Sequence, residues 1–131
     1  MENKDLLTRL GGKPALKAAV EEFYDRLSKD ERLEKFFEGV NMTALKAHQF
    51  QFMQIAFTKI PDDLNVPDVM AKAHKRLFEK GLNETHFDMV AGHLIGALQH
   101  LGVPQPLIDE AIGVVAPLRP VFEDNAISEL R

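Results

Sequence analysis

Four side chains able to bind a metal or a polar ligand fall on helical faces that are otherwise apolar. Residues 42–57 predict a helix whose inner face, at three- and four-residue steps, consists of Leu45, His48, Gln49, Phe52, Met53 and Ala56. His48 and Gln49 interrupt that face, and burying a polar group without a partner costs roughly 1–3 kcal/mol. The pair indicates an internal cavity with something to bind. A slightly rotated helix, with both residues at the core boundary, is the simpler explanation of this segment alone.

A second histidine lies on the apolar stripe of the helix predicted at 67–80. That stripe consists of Val66, Met70, Ala73, His74 and Leu77. Alone, such a histidine is more often a satisfied core residue than a ligand. Two histidines on the inner faces of separate helices shift the balance toward a metal site, because imidazole is a common metal ligand. Tyr24, the only tyrosine, also lies on an apolar face, and a buried hydroxyl needs a partner. All four polar side chains are compatible with one shared cavity.

Length and composition restrict the class of protein. The chain has 131 residues, 45% of them hydrophobic, which suits one domain with a continuous core. The net charge of -4 argues against a nucleic-acid partner and against attachment to anionic lipid. With no cysteine there is no thiolate metal site or cysteine nucleophile. The N-terminal sequence is too charged for a signal peptide, and no apolar run is long enough to cross a membrane, so we expect a cytoplasmic protein.

The hydrophobic periodicity is helical throughout, which predicts a single all-α domain spanning 1–131. A short helix at 4–10 is expected to end at Gly11-Gly12, with Pro14 in the first turn of the next helix. That helix carries an apolar stripe of Leu16, Ala19, Val20, Phe23, Tyr24 and Leu27. Further helices are expected to start at Asp30, at Asn41 or Thr43, at Pro67 and at Asn83, and a last one carries Leu107 to Val115. Their unequal lengths argue against a simple up-down four-helix bundle.

Three further histidines do not form a site of their own. His86, His93 and His100 are seven residues apart on one helix, so neighbours lie about 10.5 Å apart along its axis, too far to share one ion. We expect an exposed or boundary row. No phosphate-binding loop, zinc-type HxxxH pair or Ser-His-Asp motif is present in the sequence.

Several short motifs occur in a fixed order along the chain. They are LGG at 10–12, EEFYDRL at 21–27, FF at 36–37, NMTALKAHQFQF at 41–52, AHKRL at 73–77, HFDMVAGHL at 86–94 and LGVP at 101–104. With these intervals the chain resembles the truncated haemoglobins of the first subgroup over nearly its whole length. The resemblance implies an all-α, two-over-two helical sandwich of two antiparallel helix pairs around haem b and its iron.

The resemblance also implies a role for individual residues. His74 matches the proximal histidine that binds iron, Tyr24 the distal tyrosine that hydrogen-bonds the ligand, and Gln49 a distal glutamine that supports it. Leu45 falls where other globins often have a distal histidine. The residues expected to line the haem are Phe37, Met42, Leu45, Phe52, Met53, Met70, Leu77 and Phe87. Lys46 or Arg76 is a candidate for contact with a propionate.

His48 and two departures from the family pattern qualify this assignment. In some relatives the residue matching His48 coordinates iron on the distal side; the alternative is a side chain turned toward solvent or a propionate, and the sequence leaves both open. The segment APLRPVF contains no histidine, whereas some relatives attach haem covalently through a histidine there. We therefore expect non-covalent, extractable haem. The loop sequence TKIPDD replaces a glycine pair found in many relatives, so its geometry is not carried over.

Three functions follow from this interpretation. The first is reversible binding of oxygen, with carbon monoxide and nitric oxide as further ligands, for storage, transport or sensing. The second is an enzyme, a nitric oxide dioxygenase that needs an unidentified external reductase, since no flavin or nicotinamide domain is fused here. The third is a haem-free helical interaction protein. Ligand binding is favoured, and a monomer or weak dimer is expected.

Overall fold

Residues 5–123 are described by a computed structural model, and within that range the regular structure is helical. The α-helices are α1 (Leu6–Leu10), α2 (Gly12–Ser28), α3 (Met42–Ala56), α4 (Val66–Glu79), α5 (Glu84–His100) and α6 (Gln105–Val115). The first 3-10 helix spans Glu34–Phe37 and the second spans Ala116–Phe122. The polar tail expected after Pro120 lies mostly outside the described residues.

Asparagine and aspartate side chains fix where four helices begin. The side-chain oxygens of Asp5, Asn41, Asn65 and Asn83 accept backbone N–H groups in the first turns of α1, α3, α4 and α5. Each bond satisfies a donor that the helix itself leaves unpaired. Of the two candidates Asn41 and Thr43, Asn41 is the cap of α3, and the cap expected at Asn83 is confirmed. Asn65 starts α4 before the proline expected to open that helix.

A glycine in a left-handed conformation turns the chain between α1 and α2. Gly11 has φ 116°, and a Cβ atom added there would lie 2.7 Å from the Cβ of Ala15. Only glycine fits without displacing α2. The turn leaves α1 against the far end of α3, where the Leu7 N–H donates to the Phe57 carbonyl at 2.9 Å.

The predicted apolar stripe of α2 forms the centre of the core. All six of its members are buried, with between 2% and 5% of their surface exposed. Helix α2 packs against both α3 and α5, and α5 packs against α6. The α2/α3 pair and the α5/α6 pair thus meet through α2 and α5, which confirms the two-over-two arrangement.

Helix α4, which carries His74, has few neighbours within residues 5–123. Its main contact is with the second 3-10 helix, which also contacts α5 and α6. Pro117 and Pro120 lie in this segment, and a proline interrupts α-helical hydrogen bonding, so α6 gives way to the tighter 3-10 helix. None of the helices within residues 5–123 has the length and apolar character needed to span a bilayer.

Two expectations about these elements are wrong. Asp30 does not cap a helix: its carboxylate accepts the Arg32 N–H at 3.0 Å, and irregular turns precede the first 3-10 helix. On α4, Ala73 is exposed while Phe78 is buried. Helix α4 is therefore rotated so that the large Phe78 side chain, rather than the methyl group of Ala73, meets the second 3-10 helix.

Candidate functional site

The structure brings Tyr24 of α2 and Gln49 of α3 together on the inner side of these two helices. The Tyr24 hydroxyl donates to Oε1 of Gln49 at 3.2 Å. Tyr24 is 5% exposed, and its ring packs edge-on against Phe23 at 5.1 Å between ring centroids. Burial raises the pKa of the Tyr24 hydroxyl above its ordinary value, because desolvation disfavours the phenolate. The residue is therefore a neutral hydrogen-bond donor at physiological pH.

His48 lies on the exposed surface of α3, outside the inner face proposed for it. Adjacent residues on an α-helix point about 100° apart, so a helix that turns Gln49 toward Tyr24 turns His48 away. The buried members of α3 are Met53 and Ala56, while Leu45 and Phe52 are half-buried. Of the two polar residues on this face, the structure places Gln49 inward and His48 outward.

His74 of α4 is oriented by a bond to its own helix. Its Nδ1 lies 2.8 Å from the carbonyl oxygen of Met70, one turn earlier. Because a carbonyl only accepts, Nδ1 carries the proton and donates it, and Nε2 keeps its lone pair. Burial lowers the pKa of His74, against the opposing effect of the Met70 carbonyl, so the imidazole is neutral at pH 7. A neutral imidazole with a fixed tautomer is the form that binds a metal.

An aromatic cluster surrounds this imidazole, and sequence reasoning missed its central member. Phe122, at the end of the second 3-10 helix, packs edge-to-face on His74 with centroids 5.2 Å apart and planes at 71°. Phe122 also contacts Phe78 at 5.6 Å and Phe87 at 5.2 Å. The sequence gives no periodic signal for Phe122, because Pro117 and Pro120 break the helical pattern before it.

The residues expected to line the cofactor are mostly large, apolar and only half-buried. Those of intermediate exposure are Phe37, Met42, Leu45, Phe52, Met70, Leu77 and Phe87. Met53 differs, since it is 2% exposed and belongs to the core. Lys46 forms an ion pair with Glu21 of α2 at 3.0 Å, and Arg76 is exposed.

An apolar cavity of about 200 Å³ lies beside α2, α3 and α5. Met53 and Phe57 of α3, Leu16 and Ala19 of α2 and Leu98 of α5 contribute to its lining. Apolar walls of this kind admit small uncharged molecules and give no hydrogen bonds to hold water.

The three remaining histidines form no common site, as expected. His93 Nε2 lies 2.8 Å from Asp30, His86 accepts the Asn83 N–H at 3.1 Å, and His100 is exposed. Within residues 5–123 no cluster of three or more histidine, aspartate or glutamate side chains is arranged to hold a metal ion.

The residues around His74 fit haem. An imidazole held through Nδ1 by a carbonyl is a suitable axial ligand for haem iron. The half-buried apolar side chains on α3, α4 and α5 suit the faces of a flat apolar macrocycle. Tyr24 and Gln49 are polar groups on the α2/α3 pair, whereas His74 lies on α4.

The chain is similar to proteins of one family along its described length. Residues 5–123 match the family model of bacterial-like globins. The chain is 42% identical over 110 residues to the group 1 truncated hemoglobin GlbN of Synechocystis sp., which covers 83% of this chain and 87% of that protein. It is 39% identical over 119 residues to GlbN of Mycolicibacterium paratuberculosis, with coverage of 91% and 84%.

The fold is shared with a solved structure. The crystal structure of the 2/2 hemoglobin from Synechococcus sp., in the cyanomet state and with covalently attached heme, matches with a TM-score of 0.82 at 38% identity. The match covers 91% of this chain and 98% of that one. Fold and sequence agree, and the chain belongs to the bacterial-like globins, in the group 1 truncated haemoglobins.

Proposed function

We propose that this protein reversibly binds oxygen and other diatomic ligands at a haem iron held by His74. The cofactor follows from the globin family, and the role of His74 is the new assignment. The observation that carries it is the bond from Nδ1 of His74 to the Met70 carbonyl at 2.8 Å, which leaves Nε2 as the free donor on a helix lined by half-buried apolar residues.

Haem supplies the iron centre that binds a diatomic gas, and the chain supplies its surroundings. Tyr24 and Gln49 are the distal polar groups. Tyr24 donates its proton to Gln49 in this structure, and the same proton is available to a ligand once the hydroxyl rotates. After its amide group flips, Gln49 can donate from Nε2 to the Tyr24 oxygen, which keeps both groups satisfied.

His48 is proposed as a distal axial ligand in a second arrangement of α3. The present arrangement pairs Gln49 with Tyr24 and exposes His48. Turning His48 inward rotates Gln49 away, because the two side chains are fixed about 100° apart. The Tyr24–Gln49 hydrogen bond and iron coordination by His48 therefore exclude each other. An incoming ligand displaces His48 and returns the protein to the arrangement in which Tyr24 binds Gln49.

The visible spectrum of the deoxygenated ferrous protein tests both assignments. In a His48→Leu background, His74→Ala is expected to lose ordinary histidine ligation, and an intact five-coordinate histidyl spectrum in that double variant would exclude His74. A six-coordinate low-spin spectrum that converts on adding carbon monoxide, and is absent in His48→Leu, supports coordination by His48. A five-coordinate high-spin spectrum in the unmodified protein leaves His48 outside the iron site and keeps the rest of the proposal.

A nitric oxide dioxygenase is the second candidate function. It combines nitric oxide, oxygen and one electron to give nitrate, and that electron must come from a separate reductase. The apolar cavity of about 200 Å³ beside α2 and α3 favours it, because a second uncharged diatomic molecule can be held there. Nitric oxide consumption with a reductase, compared with equal free haem, separates catalysis from binding: equal rates leave ligand binding alone.

A further inference from the structure

We propose that Phe122 is a positioning residue that fixes the plane of the His74 imidazole. The inference rests on the proposed role of His74 as iron ligand and assigns a function to a side chain at the far end of the described chain. Its basis is the edge-to-face packing of the two rings, with centroids 5.2 Å apart and planes at 71°.

An imidazole ring needs such a support because its own torsions do not hold it. Rotation about the Cβ–Cγ bond of histidine has broad, roughly two-fold preferences rather than sharp minima. The bond from Nδ1 to the Met70 carbonyl fixes one point of the ring. A single hydrogen bond still permits the ring to tilt about the donor–acceptor line, and this tilt changes the direction of the Nε2 lone pair.

Phe122 meets the imidazole from a different segment of the chain and limits that tilt. Its ring is 6% exposed and is itself held by Phe78 and Phe87, at 5.6 Å and 5.2 Å. Phe78 lies four residues after His74 on α4, but its ring is 6.3 Å from the imidazole in a tilted arrangement. The closer, edge-to-face contact with the ligand ring comes from Phe122.

The backbone explains why the second 3-10 helix can carry this residue to α4. Pro117 and Pro120 end the α-helical pattern after α6, and the Leu118 and Phe122 side chains are both buried. The same segment is the main packing partner of α4 in the described chain. The position of the proximal ligand is thereby linked to the C-terminal part of the domain.

The test is the iron–histidine stretching band in resonance Raman spectra of the ferrous, ligand-free protein. All samples carry His48→Leu, so that the iron is five-coordinate whether or not His48 binds it. Phe122→Leu is expected to shift and broaden the band, and to lower haem affinity about 10-fold, as loss of a group orienting a metal ligand does. Phe122→Tyr keeps the ring and is expected to restore the parent band.

Phe36→Leu is the matched control. Phe36 is 4% exposed and packs edge-to-face on another histidine, His86, with centroids 4.9 Å apart and planes at 71°. The Phe36→Leu variant therefore loses a similar aromatic contact without changing a neighbour of His74. The iron–histidine band of this variant is expected to match that of the parent. Should Phe122→Leu fail to retain haem, Phe122→Met gives the same comparison with the side-chain volume nearly conserved.

Two results separate this inference from the proposed function. If the band disappears in His74→Ala but keeps its position and width in Phe122→Leu or Phe122→Met, then His74 is the ligand and Phe122 does not position it. If the band survives His74→Ala, the iron ligand is misassigned, and both proposals fail together. A band shifted equally by Phe36→Leu and Phe122→Leu also overturns the inference, since general loosening then explains the change.

Discussion

The Tyr24 hydroxyl has one proton to donate, and in this structure Gln49 receives it. The residue is buried between the ring of Phe23 and the α3 helix, so no bulk water competes for that proton. A ligand with partial negative charge at this position is a better acceptor than a neutral amide oxygen. Ligand binding is therefore expected to redirect an existing hydrogen bond and to require no new donor.

Tyr24→Phe tests this role. The variant keeps the ring and its packing but removes the proton, and a hydrogen bond contributes about 0.5–1.5 kcal/mol net. We expect oxygen to dissociate roughly threefold to tenfold faster, as measured by stopped-flow displacement with carbon monoxide. Carbon monoxide carries less negative charge, so its dissociation rate is the internal control and should change less. An unchanged oxygen dissociation rate would remove Tyr24 from the distal site.

Polar residues on apolar stripes indicated some residues of the candidate site, but the sequence could not show which way each side chain faces. Tyr24 and His74 stood out because a polar group on a buried face needs a reason, and the structure gives each a hydrogen-bond partner. The sequence could not show whether His48 or Gln49 faces inward, because rotating α3 by part of a turn exchanges the directions of the two side chains. Phe122 was missed, since an aromatic side chain after two prolines carries no periodic signal.

The start of α5 depends on the protonation of a histidine. Nδ1 of His86 accepts the Asn83 N–H at 3.1 Å while the Asn83 side chain accepts the Thr85 N–H, so the two residues cap the helix reciprocally. Burial, and then the nearby Lys35 ammonium, lower the pKa of His86. Only the neutral imidazole can accept this bond, and a cation at a helix N-terminus is unfavourable.

His86→Gln should reduce the sensitivity of the fold to mild acid. A histidine whose pKa is lowered in the folded state takes up its proton more readily when unfolded, so stability falls as the pH drops below about 6.5. Glutamine offers an acceptor that does not titrate. Thermal unfolding of the haem-bound protein, followed by circular dichroism from about pH 8 to pH 5, should show a shallower loss in the variant. His100→Gln, on the exposed end of the same helix, should lose thermal stability with falling pH as the unmodified protein does. An equal loss in the unmodified protein and in both variants would refute a role for His86.

An ionic contact ties the turn after α2 to α5. The Asp30 side chain is 8% exposed and binds Arg32 at 2.7 Å and His93 at 2.8 Å. Hydrogen bonds from Arg32 and then from His93 hold the pKa of Asp30 well below its usual range. The stability from this carboxylate is therefore present above the ordinary pKa of about 3.9 and is lost as the pH falls further.

Asp30→Asn removes that charge and keeps the shape. We expect a loss of about 1–2 kcal/mol in the free energy of unfolding at neutral pH, because hydrogen bonds to charged groups are stronger than neutral ones. Below about pH 4 the difference from the unmodified protein should shrink, since the aspartate is then protonated in the unfolded chain. Urea unfolding at neutral pH and below about pH 4 measures this difference in the free energy of unfolding. Asp109→Asn is an exposed control, and a difference that stays constant with pH would exclude the ionic contact as its cause.

Helices were predictable where local chemistry determines them, and less so where tertiary contacts do. The α2 stripe and the Asn41 and Asn83 caps follow from periodicity and from side chains that bond their own backbone. Asp30 could equally cap a helix or form a turn. Its partner His93 lies 63 positions away, so only the folded chain shows that the turn prevails.

The whole domain leaves a band of large apolar side chains incompletely covered by the polypeptide. Phe37, Phe50, Phe52 and Phe87 are half-buried against the core rather than inside it. Their burial is expected to be completed by haem, which then acts as part of the core. In a domain of this size, where the buried fraction is limited, such a contribution is a large share of the total stability.

The attachment of haem is expected to be non-covalent. The Synechococcus structure contains covalently attached heme, whereas the second 3-10 helix of this chain, Ala116–Phe122, holds no histidine. The buried side chains of this segment are Leu118 and Phe122, and neither has a nucleophilic atom that could form a covalent bond with haem. Acidic butanone should therefore extract the pigment completely, and mass spectrometry should find the protein at its unmodified mass. Pigment that stays with the chain, or a mass raised by one haem, would contradict this expectation.

Removing haem should lower thermal stability, and the loss should be larger the more tightly haem binds. A ligand that binds only the folded state adds about 2.7 kcal/mol when its free concentration is 100 times Kd. For a domain of this length that corresponds to a rise in Tm of about 10 °C. The apoprotein should melt at least that much lower than the haem-bound protein in scanning calorimetry, and added haem should restore the transition. His74→Ala retains the apolar walls but lacks the axial bond, so haem should raise its Tm by a smaller amount. Apoprotein and haem-bound protein melting together would mean that the half-buried side chains do not need haem to complete the core.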